Sequence, residues 1–149
     1  MRILIVNGPN LNMLGKREPG IYGNITLKQL EEYLRDLASE LGIEVGFFQS
    51  NHEGELVGVI QNAGQKADGV ILNAGGYTHT SVAIRDAVLC CSVPVVEVHI
   101  TNPRAREPFR HISLLADVCE GSVSGFGAAS YGMALWWFAR GRSKGDFSA

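Results

Sequence analysis

The chain has few of the features that announce a metal, a disulfide or a nucleotide. Its three cysteines, Cys90, Cys91 and Cys119, include an adjacent pair and no CxxC set, which argues against a disulfide framework and against a zinc site. The four histidines stand at no metal-ligand spacing, and neither GxGxxG nor a phosphate loop occurs, so no cofactor and no metal are expected. Charge of one sign is scarce as well. With 13 basic and 15 acidic side chains the net charge is −2, too little for a global field that would draw in nucleic acid or an anionic membrane. Long apolar runs are missing: Ile3–Val6 is far too short for a membrane span or a signal-peptide core, and a cytoplasmic location is the expectation. What is present is 149 residues with 46% hydrophobic content, enough for one domain with a filled core.

Short apolar runs alternate with helical periodicity from end to end. Ile3–Val6, Val45–Phe48, Val70–Leu72, Val93–Val98 and Val118–Val123 read as strands, mostly without a polar alternate, as a sheet covered on both faces requires. Thr26 opens a helix with Leu27, Leu30, Tyr33, Leu34, Leu37 and Leu41 on one stripe, and Gly42 closes it. Similar patterns cover about Glu55–Ala67, Ser81–Cys91 and Ala128–Ala139, while Gly141–Ala149 has no periodicity and reads as a frayed tail. Five alternating units predict a single α/β domain, a flavodoxin-like doubly wound parallel sheet of order 2-1-3-4-5. Such sheets bind ligands beyond the carboxyl ends of their strands.

Three of those ends carry polar or glycine-rich segments: Asn7-Gly8-Pro9-Asn10, Asn73-Ala74-Gly75-Gly76 and Glu97-Val98-His99-Ile100-Thr101-Asn102. Each alone reads as a turn; their convergence on one crevice reads as a site. The connection from Asn7 to Ile25 is far longer than the roughly 2–6 residues usual for such loops, and it carries Arg17 and Tyr22. Arg17 could supply the cation that favours a Tyr22 phenolate, although a solvated loop with an aromatic anchor has the same spacing.

In the fourth strand the period of two sets Glu97 and His99 on one face, where a carboxylate would fix the imidazole tautomer and make it a better proton donor. A purely structural hydrogen-bonded pair fits as well. Tyr77-Thr78-His79-Thr80-Ser81 leads into a helix, with Thr80 or Ser81 as its N-cap and free N–H groups suited to a carboxylate. Arg104, Arg106 and Arg110 make a local positive spot suited to a small anion. His52 and His111 receive no role.

With these residues in view, the chain resembles the type II 3-dehydroquinate dehydratases along nearly its whole length. Four spaced motifs carry the likeness: Asn7-Gly8-Pro9-Asn10-Leu11 with Arg17-Glu18-Pro19 and Tyr22-Gly23; Asn73-Ala74-Gly75-Gly76 with Thr78-His79-Thr80-Ser81; Glu97-Val98-His99; and Arg106-Glu107-Pro108-Phe109-Arg110. The resemblance implies an anti elimination of water from 3-dehydroquinate to 3-dehydroshikimate, in the shikimate pathway or in quinate breakdown. It implies that Tyr22, as phenolate beside Arg17, takes the proton next to the ketone, that Asn10 stabilises the enolate through an ordered water, and that His99, oriented by Glu97, protonates the departing hydroxyl. Asn73, His79, Ile100, Thr101 and Arg110 would hold the substrate, Arg106 would reach in as a lid closes, and Asp86 would contact a neighbouring subunit's site. A homo-oligomer of trimers assembled into a dodecamer is implied too.

Two departures stand out. Thr101 replaces a more usual serine, and Ser130 precedes Tyr131 where glycine is more usual. The competing readings are a lysine Schiff-base enzyme, disfavoured because Lys16, Lys28, Lys66 and Lys144 lie off the strand ends, a small-anion or flavin/phosphate-binding module on the same fold, and a catalytically dead scaffold.

Overall fold

The computed structural model describes residues 1–16 and 18–141. Arg17 and residues 142–149 of the expected tail lie outside the described residues. The strands β1 (Arg2–Asn7), β2 (Glu44–Gln49), β3 (Gly69–Asn73), β4 (Val95–His99) and β5 (Gly121–Ser124) form one parallel sheet in the order β2-β1-β3-β4-β5. This is the expected flavodoxin-like order.

The absence of polar alternates in the strands has a direct counterpart in burial. Every residue of β3 is buried, because helices cover both faces of the sheet. Side-chain alternation then divides the core. Ile3, Ile5, Ile71, Val96 and Val98 pack with Leu30 and Leu34 of α2 (Leu27–Leu41) and Leu135 of α5 (Ala129–Trp136). Val6, Val70, Leu72 and Val95 pack with Leu56 and Ile60 of α3 (Glu53–Gln61) and Ile84 and Val88 of α4 (Val82–Cys90).

Helix α2 begins at a capping box: Thr26 Oγ1 accepts the Gln29 N–H at 3.2 Å and Gln29 Oε1 accepts the Thr26 N–H at 2.9 Å. It ends at Gly42 in the left-handed region, φ 70°. Its buried stripe is Leu30, Leu34 and Ala38, whereas Tyr33 stands 40% exposed, so the apolar face is narrower than the sequence pattern. Truncating the fully buried Leu34 to alanine costs about 2–5 kcal/mol.

Element ends differ from the sequence reading for local reasons. Strand β4 starts at Val95 and not Val93, since Pro94 has no N–H for the ladder; its carbonyl still accepts the Val70 N–H at 2.9 Å. Val118 and Cys119 are apolar because they pack against the α3/α4 core, in a turn on the Leu115 carbonyl, and β5 begins only at Gly121. Helix α3 starts at Glu53 and ends at Gln61, where Asn62 Nδ2 bonds the Gly58 carbonyl at 2.8 Å and a 3-10 turn, Ala63–Gln65, follows. Ser81 is the N-cap of α4, accepting the Ile84 N–H at 2.9 Å. After α5 a π turn, Trp137–Gly141, takes in Gly141, which the sequence reading gave to the tail. The unusual Ser130 is buried, and its hydroxyl accepts the Phe126 N–H at 3.0 Å, closing the loop before α5.

Strand β1 lies between β2 and β3, so the connections leaving it and β3 open a crevice at their carboxyl ends. Asn7 and Asn73 are register partners there. Two glycines let the loops beyond them touch backbone to backbone. A Cβ on Gly8 would lie 2.6 Å from the Ala74 carbonyl, and one on Gly75, at φ 58°, would lie 2.9 Å from the Pro9 oxygen.

Candidate active site

The crevice beyond β1, β3 and β4 is a cleft whose lining includes Asn10, Tyr22, Asn73, His79, His99, Ile100, Thr101, Arg106 and Arg110. Nine residues singled out in the sequence thus share one space. The long connection after β1 is not a featureless lid: it holds a 3-10 turn at Leu11–Met13 and a one-turn helix, α1 (Pro19–Tyr22), whose last residue reaches the cleft.

His99 Nε2 lies 2.9 Å from Glu97 Oε1, and Glu97 is 1% exposed. Burial alone pushes this carboxyl up, but hydrogen bonds from His99, Ser113 and Ser122 and the charge of His99 outweigh it and hold it below the usual carboxylate range. Glu97 is therefore the ionised partner of the pair. A carboxylate only accepts, so Nε2 carries a proton and Nδ1 is the nitrogen left to exchange one.

His79 is oriented in the same way. Its Nδ1 donates to the Ile112 carbonyl at 2.7 Å, which leaves Nε2 for the cleft. His111, which received no role from the sequence, donates Nε2–H to the Arg106 carbonyl at 3.0 Å and ties down the arginine loop.

The arginines separate. Arg104 is exposed and does not line the cleft, whereas Arg106 and Arg110 do. Both face Glu107, Arg110 Nε at 2.7 Å and Arg106 Nε at 3.8 Å. The Glu107 carboxyl is held down first by its own backbone N–H and next by Arg110. Arg106 also donates to Thr101 Oγ1 at 3.4 Å and sits with its guanidinium carbon 5.2 Å from the Tyr22 ring centroid. Among the described residues, the cation over Tyr22 is thus Arg106; Arg17, assigned that place from the sequence, is not described. Asp86 is exposed on α4 and does not line the cleft of its own chain.

Several supporting residues escaped the sequence reading. Ser113 donates to Glu97 Oε1 at 2.7 Å and accepts the N–H groups of Leu115 and Ala116, each at 3.0 Å. It comes from the loop after the arginines, 16 positions from Glu97, so no local pattern points to it. Asn51, in the polar turn after β2, accepts the backbone N–H of Asn10 at 3.0 Å and Gln49 Nε2 at 3.2 Å. Gln49 Nε2 also bonds the Gly8 carbonyl at 3.2 Å. These contacts brace Asn10, which holds φ 67°, a left-handed conformation that costs a non-glycine residue free energy. Among the described residues, no group of three or more possible metal ligands occurs and no lysine lines the cleft.

The family description Dehydroquinase class II matches residues 1–139. A 3-dehydroquinate dehydratase of Prochlorococcus marinus (strain NATL1A) is 56% identical over 135 residues, covering 91% of this chain and 93% of that protein. The crystal structure of the type II dehydroquinase from Butyrivibrio crossotus DSM 2876 superposes with a TM-score of 0.88 at 46% identity, covering 91% of this chain and 94% of that one. The type II dehydroquinase structure from Propionibacterium acnes gives the same TM-score of 0.88 at 40% identity, over 93% and 95% of the two chains. With the family description matching residues 1–139, and a relative 56% identical over 91% of the chain, the chain belongs to the class II dehydroquinase family.

Proposed function

We propose that this chain is a hydro-lyase that converts 3-dehydroquinate to 3-dehydroshikimate in the shikimate pathway, with Tyr22 as base and His99 as acid. The reading rests above all on one observation: Tyr22 and His99 line a single cleft, and His99 is held there by a buried, ionised Glu97.

The chemistry runs in two steps. The Tyr22 phenolate removes a proton from the carbon next to the ketone, and the electron pair left behind forms an enolate, which Asn10 stabilises through an ordered water. The enolate then collapses, expelling the hydroxyl from the next carbon as water while Nδ1 of the His99 imidazolium supplies the proton. One proton is taken and one is given, so the net change is loss of water, and no oxidant or metal enters. Arg17 and Arg106 supply positive charge beside Tyr22. Asn73, His79, Ile100, Thr101 and Arg110 hold the substrate's hydroxyls and carboxylate, with Arg106 completing the enclosure as substrate binds.

Asp86 acts in a neighbouring subunit's site, within a homo-oligomer of trimers built into a dodecamer. Support comes from α4 itself, where Val82 and Leu89 are 59% and 61% exposed, an apolar surface suited to a subunit contact. The protein works in the cytoplasm, with quinate breakdown as the alternative setting for the same reaction; no helix among the described residues is long and apolar enough to cross a membrane. The module reading, with a small anion or a flavin or phosphate as ligand, gains nothing from the family match. The direct test adds 3-dehydroquinate to chelator-treated protein and follows the ultraviolet absorbance of the conjugated product. A rising signal is expected, and none at any protein concentration would overturn the function.

A further inference from the structure

Tyr131 is buried completely in the core under the cleft, yet its hydroxyl is in use at the strand ends. It donates to Asn7 Oδ1 at 2.6 Å, a length typical of O–H···O bonds, and accepts from Asn73 Nδ2 at 2.8 Å. The hydroxyl has one proton, and Asn7 Oδ1 takes it, so Asn73 must present its NH2 group and not its oxygen to Tyr131. A second constraint agrees. The Gly75 N–H, which can only donate, bonds Asn73 Oδ1 at 3.1 Å. A flipped Asn73 would set NH2 against N–H and oxygen against an oxygen whose proton is spent, two unsatisfied contacts in a buried place.

We infer that Tyr131 is a positioning residue: together with Asn7 it locks the amide of Asn73 in one orientation, so that one N–H and one carbonyl lone pair always face the cleft. The inference rests on the proposed role of Asn73 in holding substrate. The network spans β1, β3 and α5, and thereby fixes the two strand ends on which the crevice is built. It carries a cost, because Asn7 Nδ2 is buried with no hydrogen-bond partner among the described residues. A bridge kept at that cost favours one geometry over the most stable packing.

The test is a double-mutant cycle with Tyr131→Phe, which removes only the hydroxyl, and Asn73→Ala. Tyr131→Phe is expected to lower kcat/KM about tenfold, the order of one misplaced hydrogen bond, and to cause no further loss in the Asn73→Ala background. An equal loss in both backgrounds would mean that the hydroxyl serves stability alone and would overturn the inference. Full activity of Asn73→Ala would do the same while leaving the dehydratase reading intact. A second readout does not depend on turnover: in 15N-labelled protein the Asn73 side-chain NH2 signals, identified by their loss in Asn73→Ala, should shift and exchange faster with solvent in Tyr131→Phe. Unchanged signals contradict the lock, even if the parent proves to have no dehydratase activity.

Discussion

Glu97 Oε1 accepts from Nε2 of His99 at 2.9 Å although the carboxylate is nearly fully buried. Ionisation at such depth is sustained by bonds from three side chains on three segments: His99 at the end of β4, Ser113 in the following loop and Ser122 on β5. The pair couples an acid–base group to the stability of the fold, and the two effects separate by experiment.

Glu97→Gln keeps the shape and removes the charge. Turnover should fall about tenfold or more, as a general acid loses its orienting partner. Stability has its own sign. The folded carboxyl titrates below the ordinary value of 4.5, so the unfolded chain binds the proton first as pH falls. The contribution of Glu97 is therefore complete above about pH 4.5 and is lost below it. Denaturation midpoints of the parent should drop more steeply than those of Glu97→Gln from pH 4.5 downward; parallel curves would contradict the lowered titration.

The brace on Asn10 can be removed and restored. Asn51→Ala deletes the acceptor for the Asn10 N–H and should lower kcat about tenfold, with a small change in melting temperature. Asn51→Asp keeps an acceptor oxygen for both Asn10 and Gln49 and should recover most of the rate. Steady-state kinetics of the two variants decide the matter, and equal activity in both would remove Asn51 from any positioning role.

Arg110 tests the proposed anion site. It lies in the cleft on a charge-assisted bond to the half-exposed Glu107, a partner a substrate carboxylate can replace. Arg110→Ala should raise KM roughly tenfold or more with a smaller effect on kcat, and kcat/KM of the parent should decline with added salt. An unchanged KM would mean that the carboxylate binds elsewhere.

The thiols differ in reactivity. Burial first, then the charges of Glu97 and Asp117, push Cys119 up to about 12, whereas Cys90 is exposed. In a Cys90→Ser/Cys91→Ser protein, Ellman's reagent at pH 8 should label Cys119 only after denaturation. Rapid labelling of the folded protein would show that Cys119 is not shielded.

The legible parts of the sequence were those written in local period or local chemistry. The five apolar runs, the Thr26 cap and the Glu97/His99 spacing each depend on residues a few positions apart, and each is present in the structure. Ser113, Asn51 and Tyr131 act across 16, 41 and 58 or more positions, on partners that only the closed sheet brings near. Strand limits at Pro94 and Val118 were obscured by apolar residues buried for packing and not for pairing. The arginine spot was visible as a cluster, but only backbone geometry separates Arg104 from Arg106 and Arg110.

Tyr22 carries the greatest weight, because it is the residue assigned to take the first proton. The decisive measurement compares the rate of product absorbance from 3-dehydroquinate in the parent and in Tyr22→Phe, with circular dichroism and equilibrium binding of substrate run on both. The phenol-to-phenyl change should lower kcat by at least about a hundredfold while fold and binding persist. Turnover of Tyr22→Phe within roughly tenfold of the parent, below what a general base contributes, would contradict the assignment of Tyr22 as the base.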